Sequence, residues 1–349
     1  GKLPFAKPGS GGSKQFSELR DMTMIPQSEG GEKSQPRGPH GHDELITGSI
    51  IGRRTPLIDS NWKVTGQAKY GDDIRLQGEI IGKILRSPHH HARIRSIDYS
   101  KAEALPGVIA IATGKEYVAR FGVLPVTKDE HALAVDKVRH IGDLVACVAA
   151  IDEDTALEAL RLIDVDYEIL EAVHDISKGL DDADDPIHDR GPYHIGESNI
   201  QKRVYQEFGR VSEVKNAEVS SLNKWKFAGI NHGFTEPHAV VANWDPRGRL
   251  TVYTPQQVPH YLHRSLADVL EIPMHQINVF RTFVGGGFGG KSDPFPHEMC
   301  AAILARKSGR PVRITFDREE VFWTNRGRHP SLLEMNIHAD DEGRISGIE

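Results

Sequence analysis

The sequence is short of cysteine, of long apolar runs and of excess positive charge, and each shortage removes a class of protein. Only two cysteines occur in 349 residues, Cys147 and Cys300, both in apolar surroundings. Two distant thiols cannot staple a disulfide scaffold, and they are too few to hold an iron–sulfur cluster on this chain. They read as small buried hydrophobes. No apolar run reaches the ~18–20 residues of a membrane-crossing helix, and the first residues show no charged-then-apolar leader pattern. The expectation is a cytoplasmic protein. Acidic residues outnumber basic ones, 49 to 43, for a net charge of −6. Bulk charge therefore offers nucleic acid no attraction.

What is present divides along the chain. Residues 1–50 are rich in glycine, proline, serine and charge and read as an extended arm. Such a composition does not fold alone. It can dock on another subunit or pack on its own chain, and the residues leave both open. Residues 51–172 read as a small α/β domain. Ile80 to Leu85, Val108 to Ala112, Leu144 to Ile151 and Val165 to Leu170 suit strands, and Asp152 and Asp154 open a helix with Asp154 as its cap. Residues 173–205 are polar and rich in Asp, Gly, His and Pro, as a connector would be. Residues 206–349 alternate again. His238 to Trp244 and Leu250 to Tyr253 flank the turn Asp245-Pro246-Arg247-Gly248, a helix runs from Pro259 to Glu271, and Ile277 to Val284 suits a strand. A helix over Ala301 to Lys307, the strand PVRITFD and the strand start RISGIE follow. The fold class is mixed α/β. A domain ending in mid-strand calls for a remainder that lies on another chain or has been cut away.

Between Ile277–Val284 and the next helix lies the densest signal. Gly285, Gly286, Gly287, Gly289 and Gly290 surround Phe288. Glycines admit positive φ and let a ligand approach the backbone, and amides at such a corner can cradle an anion. Gly285 through Gly290 with Lys291-Ser292 also fits the nucleotide-loop spacing G-x-x-x-x-G-K-[ST]. Phe288 argues against that reading, because a bulky ring crowds a cradle whose amides must face phosphate. A tight corner without ligand remains open. His89-His90-His91 invites a metal reading, but neighbours on a strand point to alternate faces. His260 and His263, with His297 or Glu298, make a zinc site conceivable without a defined third ligand.

The surroundings of the glycine corner widen the evidence. INVFRTFVGGGFGGK, SGRPVRITFDREE and NRGRHP together resemble the molybdenum-cofactor subunit of the xanthine oxidase family, the molybdenum hydroxylases. So do residues 54–74 (RTPLIDSNWKVTGQAKYGDDI), 85–98 (LRSPHHHARIRSID) and 140–170. Within the family, FGVLPVTKDEHALAVDKVRHIGD and NIQKRVYQEFG are most similar to the large subunit of 4-hydroxybenzoyl-CoA reductases. The resemblance implies an aldehyde-oxidase-type hammerhead domain followed by part of the molybdenum-cofactor-binding domain, incomplete at its C-terminus.

It also implies chemistry. Phe288 would pack over the metal centre, with Gly286, Gly287 and Gly289 beside the cofactor. Gln257 would stand near the metal's oxo ligand, with Gln256 the runner-up. Ser292 falls where purine-oxidising members carry a glutamate, and Glu236 falls where the family has an acid near the site entrance; both are weaker, substrate-side expectations. The general-base glutamate belongs to the missing half. The implied cofactor is molybdopterin with molybdenum, as the cytosine dinucleotide, in a bacterial or archaeal enzyme. Partner subunits would carry [2Fe-2S] clusters and FAD. The implied reaction is hydroxylation of an aromatic, N-heterocyclic or aldehyde substrate with water as oxygen source. Reductive dehydroxylation of an aromatic CoA thioester is the alternative, and a scaffold or maturation partner without cofactor is a third.

Overall fold

The computed structural model describes residues 57–123, 128–181, 184–189, 199–210, 217 and 219–349. The expected arm, 1–50, lies outside the described residues, as does part of the connector. The chain divides into two units, 1–64 and 65–349. The described part of the first contains one short helix, α1 (Ser60–Val64), with no buried residue. The second contains the remaining elements.

In chain order these are β1 (Ile80–Arg86), β2 (Ala92–Asp98), α2 (Ser100–Glu103), β3 (Val108–Thr113), β4 (Arg120–Phe121), β5 (Glu130–His131), β6 (Lys137–Val138) and β7 (Leu144–Ala150). Then come α3 (Glu153–Arg161), β8 (Asp164–Ile169), β9 (Val219–Phe227), β10 (Ala239–Trp244), β11 (Leu250–Thr254), α4 (Pro259–Leu270) and β12 (Ile277–Arg281). Helix α5 (Pro296–Ser308), β13 (Val312–Thr315), α6 (Arg318–Thr324), β14 (Ser331–Ala339) and β15 (Ile345–Ile348) complete the series. No described helix is long and apolar enough to cross a membrane.

Seven strands form one mixed sheet, in the order β12-β11-β10-β13-β1-β7-β3. It takes β1, β3 and β7 from before the connector and the other four from after it. The seam is the parallel pair β1 and β13, with Ile80 opposite Val312. Every residue of β7 is buried, which its unbroken apolar run LVACVAA requires of a central strand covered on both faces. Cys147 and Cys300 are both buried, and burial pushes the Cys147 thiol up.

Helix α5 is the main helical cover. Residues His297 to Ala305 are all buried, and Ala301, Ala302 and Ala305 let it lie close to the sheet. Pro296 starts it, where a missing N–H costs nothing, and Gly309 ends it with φ 66. On α4, Leu262, Leu266, Val269 and Leu270 face the same core. The strands β6-β2-β8 and β15-β14-β9 form two further sheets, and β4 pairs with β5.

Some expectations shift. Asp152, not Asp154, caps α3, accepting from the Thr155 amide at 2.8 Å. Helix α5 begins five residues before the expected Ala301, because its first turn carries a proline and charged residues rather than an apolar stripe. Strand β12 stops at Arg281; the Thr282 amide still donates to Thr254 O at the end of β11, and the Phe283 amide then leaves the ladder for Lys69 O.

Candidate functional site

Strands β11 and β12 are parallel neighbours, so their C-terminal ends lie side by side, where ligand sites of open sheets collect. Beyond β11 come Gln256 and Gln257. Beyond β12 comes the glycine loop. The two segments are stitched together through Gln257. Its amide donates to Lys291 O at 2.7 Å, and its side-chain Oε1 accepts from the Gly289 and Lys291 amides, each at 3.1 Å. Bare backbone is required here: a Cβ on Gly287 would stand 2.5 Å from Gln257 Oε1. With the carbonyl oxygen spent twice, the Nε2 amide is the donor that Gln257 has left. Gln256 is turned the other way. It is buried, and its Nε2 donates to Asp293 O at 2.7 Å.

The loop is clamped from below by Glu236. Its Oε1 accepts from the Gly71 amide at 3.0 Å, and its Oε2 from the Gly285 amide at 2.6 Å and Lys291 Nζ at 2.8 Å. The Glu236 amide donates back to Gly285 O at 3.1 Å. Lys291 is 1% exposed, with Nζ 4.7 Å from the Phe234 ring centroid. Burial, the largest influence, holds its ammonium below the usual lysine range despite the pull of Glu236. Glu236 is therefore a committed carboxylate within the fold and not a solvated loop side chain. The same pair removes the nucleotide-loop reading. A phosphate-binding lysine must reach outward, whereas this one points into the core, and α5 starts only at Pro296.

Beneath the clamp, rings replace water. Phe234, Phe295, Phe316, His238 and His297 pack together: His238 meets Phe234, His297 and Phe316 edge to face at 5.1–5.6 Å between centroids, and His297 lies tilted against Phe316 at 4.5 Å. Burial keeps both imidazoles neutral, pulling His238 down to about 3 and His297 well below its usual value. Glu298 is also fully buried. Its Oε1 accepts from Thr254 Oγ1 at 2.9 Å and its Oε2 from the Phe295 amide at 2.9 Å, tying the end of β11 to the start of α5. Burial raises it to about 7, against the opposing effect of those hydrogen bonds.

The outer side of the loop is open. Gly286, Gly287 and Phe288 make no amide hydrogen bond among the described residues, so three consecutive donors are unspent. Phe288 has φ 52 and is 75% exposed. A left-handed conformation costs a residue with a Cβ ~1–2 kcal/mol, and an aromatic ring in water gains nothing to offset it. A hollow of about 590 Å³ adjoins it, lined by Ile230, Asn231, His232, Phe288, Gly327, Arg328, His329 and Ser331. Ser292 sits at the foot of the loop, its amide donating to Gly289 O at 3.2 Å.

The histidine candidates lie elsewhere. His89, His90 and His91 occupy a bend between β1 and β2, not a strand. His91 Nδ1 lies 2.8 Å from Glu171 O, and His89 and His90 meet Tyr167 and His174 edge to face. His263 Nε2 lies 2.8 Å from Met274 O. Among the described residues no three His, Cys, Asp or Glu converge to hold a metal. Sequence reasoning passed over Lys291 as a clamp, Gly71, and His232, whose Nδ1 lies 3.1 Å from Asn325 Nδ2. These partners are far apart in sequence, and no local pattern announces them.

Residues 193–349 match the family model of the molybdopterin cofactor-binding domain, and residues 65–171 match that of the aldehyde oxidase and xanthine dehydrogenase a/b hammerhead domain. The nicotinate dehydrogenase large molybdopterin subunit of Eubacterium barkeri is 33% identical over 306 residues, which cover 86% of this chain and 69% of that one. The chain belongs to the xanthine oxidase family of molybdopterin-binding large subunits. Another relative in that family is the xanthine dehydrogenase molybdenum-binding subunit of Escherichia coli O157:H7, 31% identical over 83% of this chain and 39% of its own length. The solved structure of reconstituted CO dehydrogenase from Oligotropha carboxidovorans superposes with a TM-score of 0.76 at 28% identity, over 85% of this chain and 39% of that one. The chain thus spans well under half the length of both longer relatives.

Proposed function

We propose that this chain supplies the loop side of a molybdenum-cofactor site in a hydroxylase that oxidises an N-heterocyclic or other aromatic substrate, or an aldehyde, with water as oxygen source. The observation that carries the reading is the set of unspent donors: three consecutive loop amides beside the free Nε2 of Gln257. Neutral amides fixed at a corner without Cβ atoms suit a bulky, negatively charged group whose charge grows during reaction. The residues fit molybdopterin in that sense. When bound, the cofactor supplies the two-electron redox chemistry. Gln257 and the amides of Gly286, Gly287 and Phe288 would hold the group, Gly289 would keep its approach open, and the exposed Phe288 ring would orient a flat substrate on the outer side. Ser292 offers no carboxylate there, unlike the glutamate expected of purine oxidisers. Glu236, with both oxygens engaged by the Gly71 and Gly285 amides and Lys291, positions the loop. The nicotinate and xanthine relatives favour an N-heterocycle. The base, the cytosine dinucleotide form of the cofactor, and [2Fe-2S] and FAD partners complete the proposal.

The test is elemental analysis of the native complex containing this chain, for molybdenum and iron together, followed by dye-reduction assays on N-heterocycles in 18O-labelled water. About one molybdenum per chain, with iron in excess and label in the product, is the expected result. No molybdenum with all partners present removes the hydroxylase reading and leaves a scaffold.

A further inference from the structure

A second cavity, of about 820 Å³, shares Gly327 and His329 with the hollow beside Phe288. Part of its lining is the segment that leaves the glycine loop, Asp293, Phe295 and Pro296; another part comes from around β5 and β6, with Glu130, His131 and Arg139. The volume suits a small organic molecule. The carboxylates of the lining are already engaged. Asp129 Oδ2 lies 3.0 Å from His188 Nδ1. Arg326 sits between Glu130 and Asp293, donating from Nη2 to the first and from Nη1 to the second, the latter at 3.1 Å. Asp143 accepts from the Arg139 and Leu144 amides, each at 3.0 Å.

Two donors in the same lining are unspent. Arg139, its side chain 10% exposed, gives Nη1 to Lys137 O at 3.0 Å and brings Nη2 to 3.5 Å from Asp189. Its buried Nε has no partner among the described residues. His131 supplies the other. Arg120 Nε donates to His131 Nε2 at 3.3 Å. A guanidinium only donates, so Nε2 is the bare nitrogen of the ring and Nδ1 carries the hydrogen. Burial, followed by the charges of Arg120 and Arg139, holds His131 below its usual value and keeps it in that neutral form. Its Nδ1 is buried and also lacks a partner among the described residues. A buried N–H with no acceptor is costly. A cation or a second donor would relieve neither group; an oxyanion relieves both.

We propose that this cavity receives the carboxylate of the substrate, with Arg139 Nε and His131 Nδ1 as the donors that select it. The inference rests on the hydroxylase reading and narrows its substrate to a ring that bears an acidic group. Hydrogen bonds from a guanidinium to a carboxylate are of the strong, charge-assisted kind. Asp293 to Pro296 follow the glycine loop directly, so a molecule held in the cavity borders that loop.

The test is turnover of pyridine-3-carboxylate and pyridine-3-carboxamide by the native complex, two rings of like shape that differ in charge. The ratio of their kcat/KM values is measured in the wild type, Arg139→Gln and His131→Phe, with molybdenum content alongside. The wild type should prefer the carboxylate. Each variant should lower the ratio by ~10-fold or more, through KM, as the loss of a hydrogen bond to a charged group does. General damage to the fold slows both substrates and leaves the ratio alone. An unchanged ratio therefore overturns the proposal, and so does a wild type indifferent to the charge. Benzoate should inhibit the wild type competitively and benzamide should not; any other pattern puts the anion elsewhere and overturns the proposal. This arm needs no variant, so it holds even if a substitution prevents folding. Molybdenum lacking from the wild-type complex, or no turnover of any N-heterocycle, overturns the function reading itself. A molybdenum-loaded complex that oxidises N-heterocycles without regard to charge overturns only the selection of a carboxylate.

Discussion

At the residue scale, the site is a matter of where carbon is missing and where charge is shared. Gly287→Ala puts a methyl group 2.5 Å from Gln257 Oε1. The Gln257 carbonyl is driven out and both amides it serves are released, at a cost of ~1–3 kcal/mol for the steric insertion alone. Thermal melts should register that loss, and molybdenum content should fall with it. Glu236→Gln leaves the buried ammonium of Lys291 without its anion. Breaking one side of a buried pair costs ~3–5 kcal/mol. Combining it with Lys291→Met should restore much of the stability, because the unpaired charge goes too. Denaturant titration of the two single variants and the double variant closes the cycle; strict additivity would refute the clamp. The clamp was invisible in the sequence because its partners stand 55 residues apart. The loop stood out by its own run of glycines, whereas Gln257 was singled out only through the family resemblance with Gln256 as runner-up; the structure puts Gln257 on the loop and sends Gln256 to Asp293.

At the element scale, Glu298 joins a strand end to a helix start. Its folded value of about 7 stands above the ordinary carboxylate value of 4.5. A raised value means the folded protein holds the proton more tightly than the unfolded chain. The contribution is therefore complete below pH ~4.5 and is lost as pH rises to about 7, amounting to roughly 3 kcal/mol on full ionisation. His238 works in the opposite sense. Lowered to about 3, it contributes fully above its ordinary 6.5 and loses that contribution as pH falls. Melting temperatures of the wild type and Glu298→Gln between pH 5 and 8 should diverge in slope, the wild type falling more steeply. Equal slopes would show that Glu298 does not titrate there. Elements with local signals were legible beforehand: β7 by its apolar run, the β10–β11 hairpin by its Asp-Pro-Arg-Gly turn, α4 by its four apolar positions. Strand β9 was not. VSSLNKWKF is exposed along its whole length and lacks a strict alternation to read. Nor was α6, seven residues long and recognisable chiefly by the capping Asp317.

At the scale of the whole molecule, the large sheet draws on both sides of the connector, and Arg86 reinforces that union. Its Nε donates to Glu320 at 3.0 Å and its Nη1 to Thr324 Oγ1 at 2.8 Å, while its side chain is 5% exposed and lies 4.6 Å from the Phe316 ring centroid. Calorimetry should show the segments before and after the connector melting together. Arg86→Ala should lower that single transition by the ~3–5 kcal/mol of a broken buried pair. Two separate endotherms would refute the shared core. The pairing of Ile80 with Val312 also has a meaning in time. A ribosome delivers β1 long before β13 exists, so the edge of β1 that meets β13 stays unfilled until the chain has grown past it. The glycine loop, tied through Glu236 to Gly71 ahead of β1, can take its final form only once segments on both sides of the connector have met. Any bulky group it receives must arrive after that point, from something able to wait for the two segments to join.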